Sequence, residues 1–232
     1  MAHATAEVLS ALASEAVRDN GRFTIVLSGG STPQSLFSLL AGSPYNTQLP
    51  WEQMHCFWGD ERLVPPDDPG SNYYHAARLL LDHVPVPAAN IHRIKGELPP
   101  ESAVLDYTEQ LRAFAANGRS WPRFDLVLLG MGSDGHTASL FPGSPAAEDP
   151  GLSVKAVTAQ YEDRPAHRLT LTPAAFNDAR HVLFLAAGAN KAEALSAVLH
   201  GPRDHVKWPA QRIQPHSGTL TWFVDQAAAS TL

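Results

Sequence analysis

The chain has 232 residues and a mass of 25.0 kDa, with 44% hydrophobic and 17% charged residues. This composition excludes a disordered or fibrous chain and is sufficient for one sizeable hydrophobic core. The formal net charge of -6 excludes a broad nucleic-acid-binding surface, which needs a positive balance. Cys56 is the single cysteine, which excludes an intramolecular disulfide framework and fits a reducing compartment.

The N-terminal segment 1–20 places Val8, Leu12 and Val17 at helical spacing. It lacks the basic start and the continuous apolar run of a signal peptide. No apolar stretch of the chain approaches the ~18 residues that a membrane span needs. We therefore expect a cytoplasmic protein without a membrane partner.

Four short apolar runs, each followed by glycine or charged residues, predict buried strands. They comprise residues 23–27, 55–58, 124–129 and 181–187. Continuous rather than alternating hydrophobicity is typical of strands covered on both faces, as in a parallel sheet. The alternating stretch 168–172 predicts a further strand of a different kind.

Helical patterns lie between these strands. They cover residues 34–40, 71–81, 102–114 and 191–199, with Thr32 as the expected N-cap of the first and Gly201 ending the last. Strands that alternate with helices predict an α/β fold over residues 1–232, a single doubly wound domain with a mostly parallel sheet and helices on both faces. Ligands of such sheets bind outside the carboxyl ends of the strands, so we expect one shared site there.

The loop after the first strand combines Gly29 and Gly30 with the hydroxyls of Ser31 and Thr32. The glycines let the backbone approach a ligand, and the following helix presents free N–H groups and a positive dipole end. No Gly-Lys-Ser/Thr follows, so the segment is not a Walker loop. It is either a phosphate cradle or an ordinary strand-to-helix turn capped by Thr32.

The loop after the third strand reads GMGSDGH over residues 130–136 and formally matches G-x-G-x-x-G. A dinucleotide site needs a long helix after the glycines, but Pro142 follows too soon. The stronger feature is Asp134-Gly135-His136, because histidine takes and returns a proton near neutral pH. The alternative is a loop histidine satisfied by the backbone.

Charged residues also follow predicted strands. Arg62 is a candidate anion ligand, and Asp60 or Glu61 is placed to orient it or to exchange protons. Lys191 stands at a helix start, where the dipole disfavours a cation, so an anionic ligand would explain its position. Arg168 opens the alternating strand. The alternative for each is a solvated surface charge.

The sequence carries no pattern for a metal site or a serine nucleophile. His200 and His205 are separated by Gly201-Pro202, which breaks any common helical face, and no HExxH occurs. No G-x-S-x-G elbow is present. We therefore expect neither a required metal nor a covalent serine intermediate.

Seven motifs occur in order along the chain and are more specific together than alone. They are SGGSTP (28–33), GDER (59–62), SNYYHA (71–76), GMGSDGHTASLFPG (130–143), RLTLTP (168–173), GANKAEAL (188–195) and GTLTWFVDQAAA (218–229). Together they resemble the 6-phosphogluconolactonase family of hydrolases, which act in the oxidative pentose phosphate pathway. The resemblance covers nearly the whole chain, and its most specific part is DGHTASLFPG. It implies a modified Rossmann-like fold similar to that of glucosamine-6-phosphate deaminase.

The related deaminases are separable on two motifs. Their pattern after Asp-Gly-His runs through Asn-Glu-Pro, where this chain has SLFP at 139–142, so the glutamate partner of the histidine is missing. They also carry Asp-Glu-Tyr where this chain has Asp60-Glu61-Arg62. Both departures favour the lactonase. A deaminase or isomerase remains one alternative, and a non-catalytic sugar-phosphate-binding protein is the other.

The resemblance implies 6-phospho-D-glucono-1,5-lactone as substrate and 6-phosphogluconate as product. His136 is then the expected general base for an attacking water, with no covalent intermediate. Asp134 is expected to orient the loop or the imidazole, and Glu61 is counted with the catalytic groups. The oxyanion would be stabilised by Arg62 or by backbone N–H groups of the glycine loops.

The same resemblance implies which residues bind the phosphate and which bind the rest of the substrate. The phosphate is expected on Gly29, Gly30, Ser31 and Thr32, with Arg168 and Lys191 as counter-charges. Asp60, Arg62 and Asn72 complete the predicted substrate-binding set, with Asn72 and Glu61 as candidate partners of sugar hydroxyls. No cofactor, metal or nucleic-acid partner is required, and we expect a monomer or a weak homodimer.

Overall fold

A parallel six-stranded sheet forms the centre of the fold, in a computed structural model that describes residues 1–116, 118–145, 151–159 and 165–232. The strands are β1 (Phe23–Leu27), β2 (Met54–Trp58), β3 (Asp60–Arg62), β4 (Ile91–His92), β5 (Leu126–Gly130), β6 (Val154–Thr158), β7 (His167–Leu171), β8 (His181–Ala186) and β9 (Thr219–Val224). The order in the large sheet is β4-β2-β1-β5-β8-β9, and all neighbours are parallel.

The continuous apolar runs form the central strands, as predicted. All five residues of β1 are buried, which requires cover on both faces of the sheet. Ile25 of β1 pairs with Cys56 of β2 on one side and with Leu126 of β5 on the other. These pairings place the largest part of the hydrophobic core along the middle of the sheet. The predicted doubly wound α/β fold is confirmed.

The α-helices of the described residues are α1 (Ala2–Asn20), α2 (Ser31–Leu40), α3 (Tyr45–Gln48), α4 (Asn72–Leu79), α5 (Pro100–Phe114), α6 (Pro173–Asn177) and α7 (Ala192–His200). The predicted helices are present with ends shifted by a few residues. Thr32 is not the N-cap of α2, because the helix already begins at Ser31 and its N-cap is Gly30 with φ 98°. A single glycine adopts this backbone conformation without strain, and no side chain caps the helix.

A small antiparallel sheet with the order β3-β7-β6 lies beside the main one. The alternating pattern at 168–172 correctly predicts β7, whereas no strand was predicted for the charged residues of β3. β3 forms because it pairs with β7, more than a hundred residues further along the chain. In this register Arg62 stands directly opposite Arg168. The second sheet therefore brings two of the predicted cations together.

The strand order fixes where a ligand binds. Counted within the parallel sheet alone, the order is 3-2-1-4-5-6, so the winding direction reverses between β1 and β5. Ligands of such sheets occupy the crevice at this switch point, outside the carboxyl ends of the strands. The loops after β1 and β5 are the two glycine loops found in the sequence. Among the described residues, no helix combines the length and the apolar character needed to cross a membrane.

A histidine pair packs between β2, β4 and α5. From its surroundings we expect the fold to be less stable at acid pH. Nδ1 of His55 lies 3.2 Å from Nε2 of His92, and the His92 ring stacks on Phe57. Burial, and then the proximity of His55, lower the pKa of His92 to about 4. Burial and the nearby Arg22 also lower the pKa of His55.

We expect the free energy of unfolding to decrease as the pH falls from about 6.5 towards 4. An unfolded histidine has a pKa of about 6.5, so in this window the unfolded chain binds more protons than the native protein. His92→Phe keeps the ring stack and removes one of the two titrating groups. Urea unfolding of both proteins between pH 7 and pH 4 tests this, and equal pH dependence in the two would contradict it.

Candidate active site

A cleft of about 330 Å³ opens at the switch point between β1 and β5. It is lined by loops that follow the carboxyl ends of β1, β2, β5 and β8. The structure brings most of the predicted site residues to this one place: Gly29, Gly30, Ser31, Thr32, Asp60, Arg62, Asn72, His136, Arg168 and Lys191. Asp134 and Glu61 do not line it.

His136 and Asp134 form a closely coupled pair at one side of the cleft. Nδ1 of His136 lies 2.6 Å from Oδ1 of Asp134, and the backbone N–H of His136 donates to the same oxygen at 3.1 Å. A carboxylate partner selects the tautomer with its proton on Nδ1. Nε2 is then the ring nitrogen that can accept a proton. Asp134 therefore contacts the ring nitrogen and the backbone of the histidine, and its catalytic role stays a prediction.

Two glycines of the loop after β5 stand where any larger side chain would clash with its neighbours. A Cβ on Gly132 would lie 2.1 Å from Nδ1 of His136 and 2.4 Å from Oδ1 of Asp134. Gly135 has φ 77° and packs so closely on Trp208 that a Cβ would meet its ring at 2.6 Å. Gly132 and Gly135 thus make room for the histidine pair and for Trp208.

Two arginines concentrate positive charge at the cleft. Arg62 and Arg168 face each other across β3 and β7, and Arg168 is only 3% exposed. Like charges directly opposite each other destabilise a sheet, so an anion between or beside them would offset their repulsion. Arg62 donates from Nη1 to the Gly70 carbonyl at 2.5 Å, whereas its buried Nε has no hydrogen-bond partner among the described residues. Both observations favour an anionic ligand.

Asn72 and Asp60 add hydrogen-bond acceptors to the cleft, and Asn72 lies next to Gly29. Nδ2 of Asn72 donates to the backbone carbonyl of Asp60 at 2.9 Å and to its Oδ1 at 3.1 Å, which fixes the orientation of the amide. Oδ1 of Asn72 is buried and has no donor among the residues that the structure describes. It lies 1.9 Å from where a Cβ of Gly29 would be, so only glycine fits there. Asp60 also accepts from Oγ of Ser139 at 2.6 Å.

The N-terminus of α2 faces the same cleft. No side chain caps this ten-residue helix, so its first N–H groups and its dipole are available to an anion. Ser31 and Thr32 line the cleft at this helix end. The loop is therefore not a Thr32-capped turn, and phosphate binding at this helix end stays a prediction.

Glu61 differs from the expectation that it is catalytic. Its side chain is 2% exposed and points away from the cleft, towards the start of α4. Its carboxylate accepts four hydrogen bonds: from the backbone N–H groups of Arg62, Asn72 and Tyr73 at 2.7–2.8 Å, and from Oγ of Ser71 at 2.9 Å. Burial raises the pKa of Glu61 to about 7, against the opposing effect of these donors. Glu61 therefore positions Arg62 and Asn72 and has no access to a ligand.

Lys191 reaches the cleft from the loop after β8. Gly188 begins this loop with φ 96°, a 3-10 turn spans Ala189–Lys191, and Lys191 is the N-cap of α7. The predicted cation at a helix start is thus present. Asn190 also lines the cleft but was not singled out from the sequence, although it lies within the GANKAEAL motif. Ser139 was also not singled out; it does not line the cleft but donates to Asp60, and it lies within DGHTASLFPG.

Metal-binding and thiol chemistry find no support in the described ranges. These ranges contain no group of three or more His, Cys, Asp or Glu side chains arranged to hold a metal ion. Cys56 is buried in β2, and burial raises the pKa of its thiol to about 12. A thiol in this environment is inert at neutral pH.

Fold and cleft together define a doubly wound α/β protein with a histidine–carboxylate pair and clustered cations at the switch point of its sheet. The chain belongs to the family described as glucosamine-6-phosphate isomerases/6-phosphogluconolactonase, which matches residues 1–222. It is 42% identical over 208 residues to a 6-phosphogluconolactonase of Haemophilus influenzae, an alignment that covers 90% of this chain and 87% of that protein.

Solved structures agree with this assignment. A 6-phosphogluconolactonase from Trypanosoma brucei superposes with a TM-score of 0.87 at 28% identity and covers 100% of this chain and 94% of its own. A monomeric glucosamine-6-phosphate deaminase superposes with a TM-score of 0.81 at 20% identity, over 98% of this chain and 95% of its own. At that identity the deaminase shows a shared fold alone.

Proposed function

We propose that this protein hydrolyses 6-phospho-D-glucono-1,5-lactone to 6-phosphogluconate. The observation that carries the proposal is the Asp134–His136 pair, in which Nδ1 of the histidine lies 2.6 Å from the carboxylate, beside a cleft lined by three cations. The lactonase name of the relative that is 42% identical over 90% of the chain supports this substrate over an amino sugar. The substrate combines a phosphate, several hydroxyls and an activated ester, and the cleft offers a partner for each.

The chemistry begins with water. Nε2 of His136 takes a proton from water as the water oxygen bonds to the lactone carbonyl carbon. The resulting imidazolium is stabilised by Asp134, which accepts from Nδ1. The tetrahedral intermediate then breaks its bond to the ring oxygen, and His136 returns the proton to that oxygen. A lactone is an activated ester, so this route needs no covalent enzyme intermediate.

The cations of the cleft are assigned to the phosphate and to the oxyanion. The phosphate binds at the uncapped start of α2, with Arg168 and Lys191 as counter-charges, because helix N-termini and guanidinium groups match phosphate geometry. Arg62 stabilises the oxyanion that forms at the carbonyl, together with backbone N–H groups of the glycine loops.

The hydroxyl groups of the substrate face the hydrogen-bond acceptors of Asn72 and Asp60. A buried acceptor without a donor costs roughly 1–3 kcal/mol, so Oδ1 of Asn72 gains when a ligand O–H binds there. Asp60 provides a second acceptor beside it. Acceptors of this kind favour the hydroxyl groups of a polyol, which donate hydrogen bonds to them.

The decisive experiment is a lactonase assay on freshly generated 6-phospho-D-glucono-1,5-lactone, corrected for spontaneous ring opening. Enzyme-dependent opening far above the spontaneous rate is expected. Ammonia release from glucosamine 6-phosphate would instead show a deaminase. Tight binding of the lactone without accelerated opening would show a non-catalytic sugar-phosphate-binding protein.

Lys191→Ala is expected to raise KM for the phosphorylated lactone by about 10- to 100-fold with little change in kcat. A hydrogen bond to a charged group contributes roughly 1.5–3 kcal/mol, and a phosphate far from the reacting carbonyl affects binding more than chemistry. Lys95→Ala is the matched control, because Lys95 pairs with Asp106 outside the cleft. An unchanged KM in the Lys191 variant would remove this lysine from the phosphate site.

A further inference from the structure

A carboxylate at the end of β9 holds the loop that carries Lys191. The chain leaves β9 at Val224, and both oxygens of the next residue, Asp225, accept the backbone N–H of Gly188 at 3.1 Å. Oδ1 of Asp225 also accepts the backbone N–H of Ala228 at 2.8 Å. Asp225 does not line the cleft. One side chain therefore links the C-terminal segment to the loop after β8.

Gly188 is the residue at which this loop turns towards Lys191. Its φ of 96° starts the 3-10 turn, and its carbonyl accepts the backbone N–H of Lys191 at 3.0 Å. The peptide groups of Gly188 are thus fixed on one side by Asp225 and on the other by Lys191. A glycine at positive φ has wide conformational freedom, so an external hydrogen bond is needed to select this geometry.

We propose that Asp225 is a positioning residue for phosphate binding, which holds the Gly188–Lys191 turn in the conformation that directs Lys191 into the cleft. The inference rests on the proposed function, since it assigns Lys191 to the phosphate. Asp225 acts through the turn and touches neither the substrate nor His136. The backbone N–H groups of Ala228 and Gly188 lower the pKa of Asp225, so the side chain stays a carboxylate at neutral pH.

A long lysine side chain has several rotatable bonds, and its entropy opposes any single bound geometry. Fixing the backbone from which this side chain extends reduces the number of side-chain conformers that cannot contact the phosphate. Loss of this support is therefore expected to weaken phosphate binding by less than the loss of Lys191 itself. It leaves water activation by His136 unchanged.

The test is a double-mutant cycle with Asp225→Ala, Lys191→Ala and the combined variant. We expect Asp225→Ala to raise KM for the phosphorylated lactone by about 3- to 30-fold, at constant kcat. The combined variant should be no worse than Lys191→Ala alone, because residues that act through each other are not additive. The KM for unphosphorylated glucono-1,5-lactone should not change.

Thr231→Val is the matched control. Oγ1 of Thr231 donates to the carbonyl of Ala192 at 2.9 Å, so this change loosens the C-terminal segment without touching Gly188. It should leave KM unchanged. If Asp225→Ala does not fold, Asp225→Leu carries the same cycle, since it keeps a side chain of similar size and removes both acceptor oxygens.

The outcomes separate the two hypotheses. A KM unchanged by Lys191→Ala overturns the phosphate assignment of Lys191 and the Asp225 proposal with it, while hydrolysis by the wild-type protein still upholds the lactonase. A raised KM in Lys191→Ala with no effect of the Asp225 variants overturns the Asp225 proposal alone. Additive effects in the cycle, or an equal loss with the unphosphorylated lactone, also overturn it.

Discussion

His136→Ala is expected to lower kcat for the phosphorylated lactone by about 10²- to 10⁴-fold, the usual contribution of a positioned general base. The variant lacks the group that takes a proton from water and returns it to the ring oxygen. KM should change little, because the phosphate and the hydroxyls keep their partners. Steady-state kinetics with correction for spontaneous opening measures both parameters.

Three further measurements make this result specific. Asp134→Asn should lower kcat by less, because the amide can still accept from Nδ1 but no longer balances an imidazolium charge. Added imidazole should restore part of the activity of His136→Ala, since a small base can enter the vacated space. His83→Ala, at an exposed position on the surface, is the control. Activity of His136→Ala within a few-fold of wild type would refute the general-base role.

The central sheet and the location of the site could be predicted from the sequence because both follow from local patterns. Buried parallel strands are continuously apolar, and glycine or charged residues directly after them face the ligand crevice. Ser28–Pro33 and the Asp134–His136 pair were recognisable in this way. The side chains at these loops converge because parallel strands end at a common edge.

The features that sequence reasoning missed depend on partners far away in the chain. Glu61 looks like a cleft residue next to Asp60 and Arg62, but alternation along β3 turns it inward, and β3 exists only through pairing with β7. Asp225 meets Gly188 across 37 positions of the sequence. No local sequence pattern predicts either contact, so only the folded structure shows them.

The charge distribution illustrates the same point. The chain carries a net charge of -6, yet its proposed substrate is an anion. The structure resolves this by placing Arg62 and Arg168 opposite each other and adding Lys191 beside an uncapped helix start. A local potential, rather than the net charge, decides which ligand a cleft attracts. Composition alone excludes polyanion-binding surfaces but says nothing about such a cluster.

Gly132→Ala is expected to abolish most of the activity without unfolding the protein. The added Cβ would lie 2.1 Å from Nδ1 of His136 and 2.4 Å from Oδ1 of Asp134, well inside contact distance. Both atoms belong to side chains that can rotate, so the clash is relieved by separating the pair rather than by moving the backbone. We expect kcat to approach that of His136→Ala, with the melting temperature lowered by only a few degrees.

The combination of Gly132→Ala with His136→Ala distinguishes this mechanism from a general loss of structure. If the methyl group acts by separating the pair, the double variant should be as active as His136→Ala alone. KM for the phosphorylated lactone should stay near the wild-type value, because the glycine serves the histidine and not the phosphate. Gly42→Ala is the control, since its Cβ would meet no atom closer than 3.5 Å. A Gly132 variant with near-normal kcat would show that the observed pair is not required for catalysis.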